Sequence, residues 1–260
     1  MVRTMRHFIA GILLYASVWA AEPTPPVIPP ELEGLPVPLA VSLQKLMKDE
    51  GHWAFTQTTQ IFDREGRPEG GLQVERYDPS RPEEEQWTLL LRKGEPPTDR
   101  QVRAWRRKKE KEMRRREGKS LGEVLDFNRA QVTREDAQEL VYEVPLKKSA
   151  SRRFPAEKFV AYMTVERAGQ QLAHFSLKTR ESFRMAGVAK VEKVEIEAKF
   201  ATVAAPYAAQ PNVITASGTG KILFFRVGGS AHVTWTDFKR VTPYKDRFVV
   251  ELGELKVLDF

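Results

Sequence analysis

KVEIEAKFAT, Lys193–Thr202, decides the fold. Val194, Ile196, Ala198, Phe200 and Thr202 alternate with Lys193, Glu195, Glu197, Lys199 and Ala201. A helix would scatter these two sets around its circumference. A strand, whose successive side chains point to opposite faces, sorts them into one apolar and one charged face. On the charged face Lys193 and Lys199 match Glu195 and Glu197, so these carboxylates are read as ion-pair partners and not as a catalytic pair.

Outward from this segment the same period recurs. Trp53–Phe62 (WAFTQTTQIF), Gly71–Tyr77 (GLQVERY, with Leu72 and Val74 on one face) and Gln86–Arg92 (QWTLLLR) predict a three-strand meander joined by turn residues. Glu139–Leu146, Lys158–Arg167, Gln171–Lys178, Lys221–Val227 (KILFFRV), Ala231–Thr236 and Arg247–Leu252 bring the expectation to roughly nine or ten strands, at the spacing of barrels and sandwiches. ASGTG, Ala216–Gly220, lacks the lysine of a phosphate-binding loop and precedes a strand, so it is read as a turn. The fold class is mainly β (α+β), with short connections that favour antiparallel neighbours.

Two helical segments interrupt this pattern. Leu39–Asp49 carries Leu39, Leu43, Leu46 and Met47 at helical spacing and closes at Gly51. Thr98 followed by Gln101 has the capping-box form, and Gly118 stands where a helix would stop, so Asp99–Glu117 is predicted as one helix. Ser120 and Glu123 repeat the start signal for a shorter one, giving a helical insertion over residues 98–128 after the third strand. The longer helix has ten Lys or Arg against four Asp or Glu, a local excess of six in a chain whose net charge is +7. Val102, Trp105 and Met113 form a thin apolar stripe, broken by Lys109, that can dock one face on a sheet but cannot bury the helix. Its cations are read either as a solvated face or, through Arg103, Arg106, Arg107, Lys108, Arg114 and Arg115, as contacts to an anionic membrane surface or an acidic protein. Nucleic acid is not the expected partner, because no aromatic platform or recognition motif accompanies the charge.

The opening MVRTMRHFIAGILLYASVWAAEP has two arginines, an apolar run from Phe8 to Trp19 and small residues after it, the form of a secretory signal over residues 1–20 cut after Ala20 or Ala21. That run is too short for a spanning helix, and retention as an anchor is the alternative. Residues 21–38 are a proline-rich leader, and 39–260 are expected to form a single β-rich domain in the periplasm. The chain has no cysteine, which removes disulfides, thiolate metal sites and thiol nucleophiles together.

No enzyme signature emerges. His52 abuts the first strand, His174 and His232 fall inside predicted strands with no acidic or histidine neighbour at metal spacing, no Gly-x-Ser-x-Gly elbow occurs, and Glu83–Glu85 read as an exposed acidic loop. No cofactor is implied. Trp53, Phe55, Trp87, Phe159 and Phe200, with Leu72 and Val74, are read as core residues or, alternatively, as the lining of an apolar cavity.

The order of parts, a signal, a short leading helix, the meander WAFTQTTQIFD…GGLQVERYDPS…QWTLLLRKGEPPT, a helical interruption and further strands, resembles the periplasmic lipoprotein-carrier superfamily. That resemblance implies a strongly bent, incomplete β-barrel plugged by helices, whose apolar concavity holds acyl chains. Without cysteine the chain cannot be a lipid-anchored receptor of that kind, and no site residue is carried over. The chain is also similar to exported bacterial proteins sharing the ERYDPS and QWTLLL stretches, for which no activity is implied. The expectation is therefore an exported, non-enzymatic protein that binds or carries a lipid or lipoprotein acyl chain. A structural or interaction protein of the cell envelope without a small ligand is the alternative, and a periplasmic hydrolase is the remote one.

Overall fold

The structure, a computed structural model, describes residues 28–49, 51–116, 121–148, 155–185, 189–223 and 225–248. The predicted signal peptide, residues 21–27 of the proline-rich leader and residues 249–252 of the last predicted strand lie outside the described residues. The chain forms α1 (Val37–Asp49), β1 (Trp53–Phe62), β2 (Pro68–Tyr77), β3 (Trp87–Arg92), α2 (Asp99–Arg116) and α3 (Leu121–Val124). There follow β4 (Gln131–Glu135), β5 (Glu139–Pro145), β6 (Phe159–Glu166), β7 (Gln171–Thr179), β8 (Phe183–Met185), β9 (Ala189–Ala201), β10 (Gln210–Ile222) and β11 (Phe225–Arg240).

All eleven strands belong to one antiparallel sheet with the order β3-β2-β1-β11-β10-β9-β7-β6-β5-β4, β8 pairing with the start of β9. The sheet is not closed: β3 is one edge and β4 the other. The segment carrying α2 and α3 therefore connects opposite edges of the sheet, a crossover and not an interruption between neighbours.

Directly paired residues share a face, so the ladders can be followed across the sheet. Tyr142 pairs with Met163, Met163 with Phe175, Phe175 with Ala198, Ala198 with Ile214 and Ile214 with Val233. Val233 then pairs with Thr59, and Gln57 two residues away with Glu75, which pairs with Leu89. This face holds the core. Leu39, Leu43 and Ala40 of α1 pack there with Leu140, Tyr142, Val144, Ala161, Met163 and Val165, joined by Leu125 and Phe127 from the end of the crossover. Lys45 donates to the Gly169 carbonyl at 2.6 Å, fixing α1 over the β6–β7 turn. Of the four apolar residues that predicted α1, Met47 points away and is exposed.

Three expectations are overturned. Ala216–Gly220 is not a turn but the middle of β10, paired on both sides. Gly220 serves close approach: a Cβ there would lie 2.5 Å from the Lys190 carbonyl oxygen. KILFFRV is not one strand, because β10 ends at Ile222 and β11 begins at Phe225. Arg247, expected to open a strand, lies in a 3-10 turn at Tyr244–Phe248. Finally, β4 was not foreseen; its five residues are all exposed at the sheet edge, with no apolar alternation to announce it.

Leu39 is fully buried against the sheet, so Leu39→Ala should lower the unfolding free energy by about 2–5 kcal/mol in chemical denaturation. On the opposite face Lys178 donates to Glu195 (2.8 Å) and Lys193 does so from its own strand (2.6 Å), holding the Glu195 carboxyl at a pKa of about 2 instead of 4.5. A depressed carboxyl contributes stability that is complete above its unfolded value and fades as the pH falls through the folded one. Denaturation midpoints should therefore drop between about pH 4.5 and pH 2, and Glu195→Gln should flatten that part of the profile.

Candidate functional site

The middle of the sheet supplies an apolar strip between the two helices. On the face that bears α1, Val194 and Ile196 of β9, Ile214 and Ala216 of β10, and Ala231, Val233 and Trp235 of β11 lie in register. Each is half-buried, unlike the core under α1. The reverse face of the same strands carries Lys193, Glu195, Glu197, Thr215, Ser217, Thr219, His232 and Thr234. Period-two patterning thus gives three adjacent strands one apolar and one polar side.

Beyond this strip α2 docks on the same face. Thr98 and Gln101 cap it reciprocally: the Gln101 side-chain oxygen accepts from the Thr98 amide at 2.8 Å, and Thr98 Oγ1 accepts from the Gln101 amide at 3.4 Å. Its anchor is Glu75 of β2, 3% exposed. Glu75 accepts hydrogen bonds from Trp105 Nε1, from Lys109 Nζ at 3.1 Å, from Gln57 Nε2 at 3.1 Å and from Gln73 Nε2 at 3.0 Å. The Lys109 ammonium also sits 3.4 Å from the centre of the Trp87 ring. Lys109, which in the sequence breaks the apolar stripe, is therefore the residue that completes the docking: its charge is matched by a carboxylate and an aromatic face. A cleft of about 250 Å³ opens beside it, its lining including Trp87, Trp105, Lys109 and Met113 together with Glu83 and Arg106.

The residues expected to line a cavity do not share one site. Trp53, Phe55 and Trp87 join Tyr77, Tyr207 and Phe238 in a chain of ring contacts at the β1–β3 end, with centroids 4.8–6.3 Å apart. Phe159 is buried against Phe183 in the α1 core, and Phe200 packs on that core's rim. Val74 pairs with Thr58, whose other partner is Thr234, so Val74, and Leu72 two residues along, lie on the polar face. Arg103, Arg106, Arg107, Lys108 and Arg114 are exposed on α2; the Arg115 side chain lies outside the described residues. Ile196, Ile214, Val233 and Trp235 were missed as a set, although the alternation on β9 already marked the first of them.

His174 and His232 both sit on the polar face but on β7 and β11, three strand spacings or roughly 14 Å apart. Among the described residues no group of three or more His, Asp or Glu side chains is placed to hold a metal ion, and no helix is long and apolar enough to cross a membrane. Comparison with protein-family models, with curated proteins and with solved structures gives no match.

Lys109→Ala leaves the buried Glu75 carboxylate without its cation, an uncompensated charge costing on the order of 3 kcal/mol. The lysine- and arginine-rich α2 should then undock, and limited trypsin digestion should cut it faster than in the parent protein while hydrogen exchange in β5–β7 stays unchanged.

Proposed function

We propose that this is an exported, non-enzymatic periplasmic protein that binds or carries an apolar ligand of the acyl-chain kind found in lipids and lipoproteins. The ligand lies on the helix-bearing face of the sheet, along Ile196, Ile214, Val233 and Trp235. One observation carries the reading: three central strands, β9, β10 and β11, present a half-buried apolar strip between two helices docked on that same face, while their other side is polar. An apolar surface left between built walls favours an occupant whose own surface is hydrocarbon. In this reading the sheet is a strongly bent, incomplete β-barrel. The twist that accumulates over eleven strands and a crossover tying edge to edge over the apolar face support it.

A second reading rests on α2. With Trp105 and Lys109 turned into the sheet, Arg103, Arg106, Arg107, Lys108 and Arg114 face solvent, an arrangement suited to an anionic surface or acidic protein of the envelope.

The test is native mass spectrometry after mild extraction, with titration of a fluorescent long-chain fatty acid into the purified protein. A copurifying lipid and a blue shift of tryptophan emission are expected, the shift lost in Trp235→Phe. Ile214→Asp with Val233→Asp should weaken binding by about tenfold or more, since two buried methyl-bearing contacts are replaced by charges. A protein that is empty on extraction and takes up no acyl chain overturns the reading in favour of the second.

A further inference from the structure

The β10–β11 hairpin ends, beyond the residues of the apolar strip, in two rows of side chains: the outer row continues the strip's face and the row behind it lies on the polar face. The outer row, read across the ladders, is Met185 of β8, Ala189 of β9, Ile222 of β10 and Phe225 of β11. Apart from the half-buried Ala189, these residues and Leu223 of the turn are open to solvent: Phe225 is 74% exposed, Leu223 62%, Ile222 47% and Met185 39%. The row immediately behind is Arg184, Lys190, Lys221 and Arg226, each directly opposite the next. Among the described residues its one ion pair is Lys221 with Glu192 at 3.5 Å.

Both rows work against the stability of the isolated chain. Like charges directly opposite one another weaken a ladder, and four in succession are the least favourable version of that arrangement. Leu223 has φ +54, a conformation in which two-residue turns ordinarily place glycine or asparagine. The turn thus keeps a large apolar side chain where a small or polar residue fits the backbone better. The hairpin also outruns β1, which stops pairing with β11 at Phe62 opposite Ser230 and leaves Phe225–Gly229 beyond it, while β9 accompanies β10 to Ile222.

We propose that this hairpin tip is a membrane-docking element that inserts Ile222, Leu223, Phe225 and Met185 into the interface of an anionic phospholipid bilayer while Arg184, Lys190, Lys221 and Arg226 bind the headgroups. The order of the rows matches the order of a bilayer surface, hydrocarbon beneath and phosphate above, with one residue of strand rise between them. Other occupants match one row only. Nucleic acid would satisfy the cations and leave the apolar row in water. Two copies meeting through the apolar rows would bury them but leave both cationic rows without a counter-charge. The inference is independent of the acyl ligand, since it uses no residue of the apolar strip.

Cosedimentation of the full chain with phosphatidylcholine vesicles, with and without phosphatidylglycerol, tests it. The parent protein should bind the anionic vesicles and be released by salt. Leu223→Asn with Phe225→Ser suits the turn and should leave circular dichroism and Tm unchanged while lowering vesicle affinity by roughly tenfold or more. Lys190→Ser with Arg226→Ser should lower both affinity and salt sensitivity. Charge reversal on α2 at Arg106, Arg107 and Lys108 should leave binding in place. The proposal fails if the parent ignores anionic vesicles, if the tip variant binds as the parent does, or if only the α2 variant loses binding. It also fails if sedimentation velocity finds a dimer that the tip variant dissolves.

Discussion

The strands of the core and its continuation, β5 to β7 and β9 to β11, have to deliver their main apolar side chains to the same face, and the rest of the structure follows from that constraint. The side-chain period of a strand is two, so one slipped residue in any ladder would carry a core residue into water. Ladders from β5 through β9 and on to β1 and β2 keep Tyr142, Met163, Phe175, Ala198, Ile214 and Val233 in line. Where the register shifts, an extra residue absorbs the mismatch, as between Pro211 and Val213 or between Ala54 and Thr56. One apolar face then receives both long helices, and the polar face is left to ion pairs such as Lys178 with Glu195 and Glu197.

The two helices are held by different physics. The α1 helix is an ordinary amphipathic helix whose leucines fill the core, and its end is tied down by Asp49, which accepts from the Ala208 amide at 2.8 Å and pairs with Arg240 at 2.7 Å. Arg240 in turn stacks 3.7 Å from the Tyr207 ring, so one carboxylate links α1, β11 and the β9–β10 connection. By contrast, α2 has too few apolar residues to dock by burial. It relies on a single buried carboxylate, Glu75, that gathers an indole, an ammonium and two amides. Such a contact adds little net stability, because desolvating the charges offsets their attraction, but it admits one orientation only. That orientation turns the arginines outward.

Where local pattern and tertiary role coincide, the sequence is transparent. The alternation of Val194, Ile196, Ala198 and Phe200 and the leucines of α1 announce what they do. Glycine and serine in ASGTG resemble a turn because turn chemistry and close strand approach both call for small residues, and only the neighbouring Lys190 carbonyl distinguishes them. KILFFRV carries no turn residue at all, so its reversal at Leu223 is invisible to composition. Lys109 was misleading in the opposite sense, since its partner Glu75 lies on a strand 34 residues earlier. The candidate strip was only partly legible: Leu72 and Val74 are as apolar as Ile214 and Val233, and which face each occupies depends on bulges and partners that no single segment encodes.

The pairing of β1 with β11 has a kinetic meaning. The first strand takes the last as one of its two neighbours, joining residues as distant as Trp53 and Arg240. A ladder of such sequence separation forms late, after much loop-closure entropy has been lost. The β1–β3 meander has only a three-stranded fragment to itself until β11 is made, whereas β4–β10 can pair in the order in which they emerge. During synthesis the amino-terminal third must therefore wait for nearly the whole chain with one strand edge unpaired. Such an edge is open to pairing with another chain, and it is there that a chaperone would act to keep this protein from aggregating.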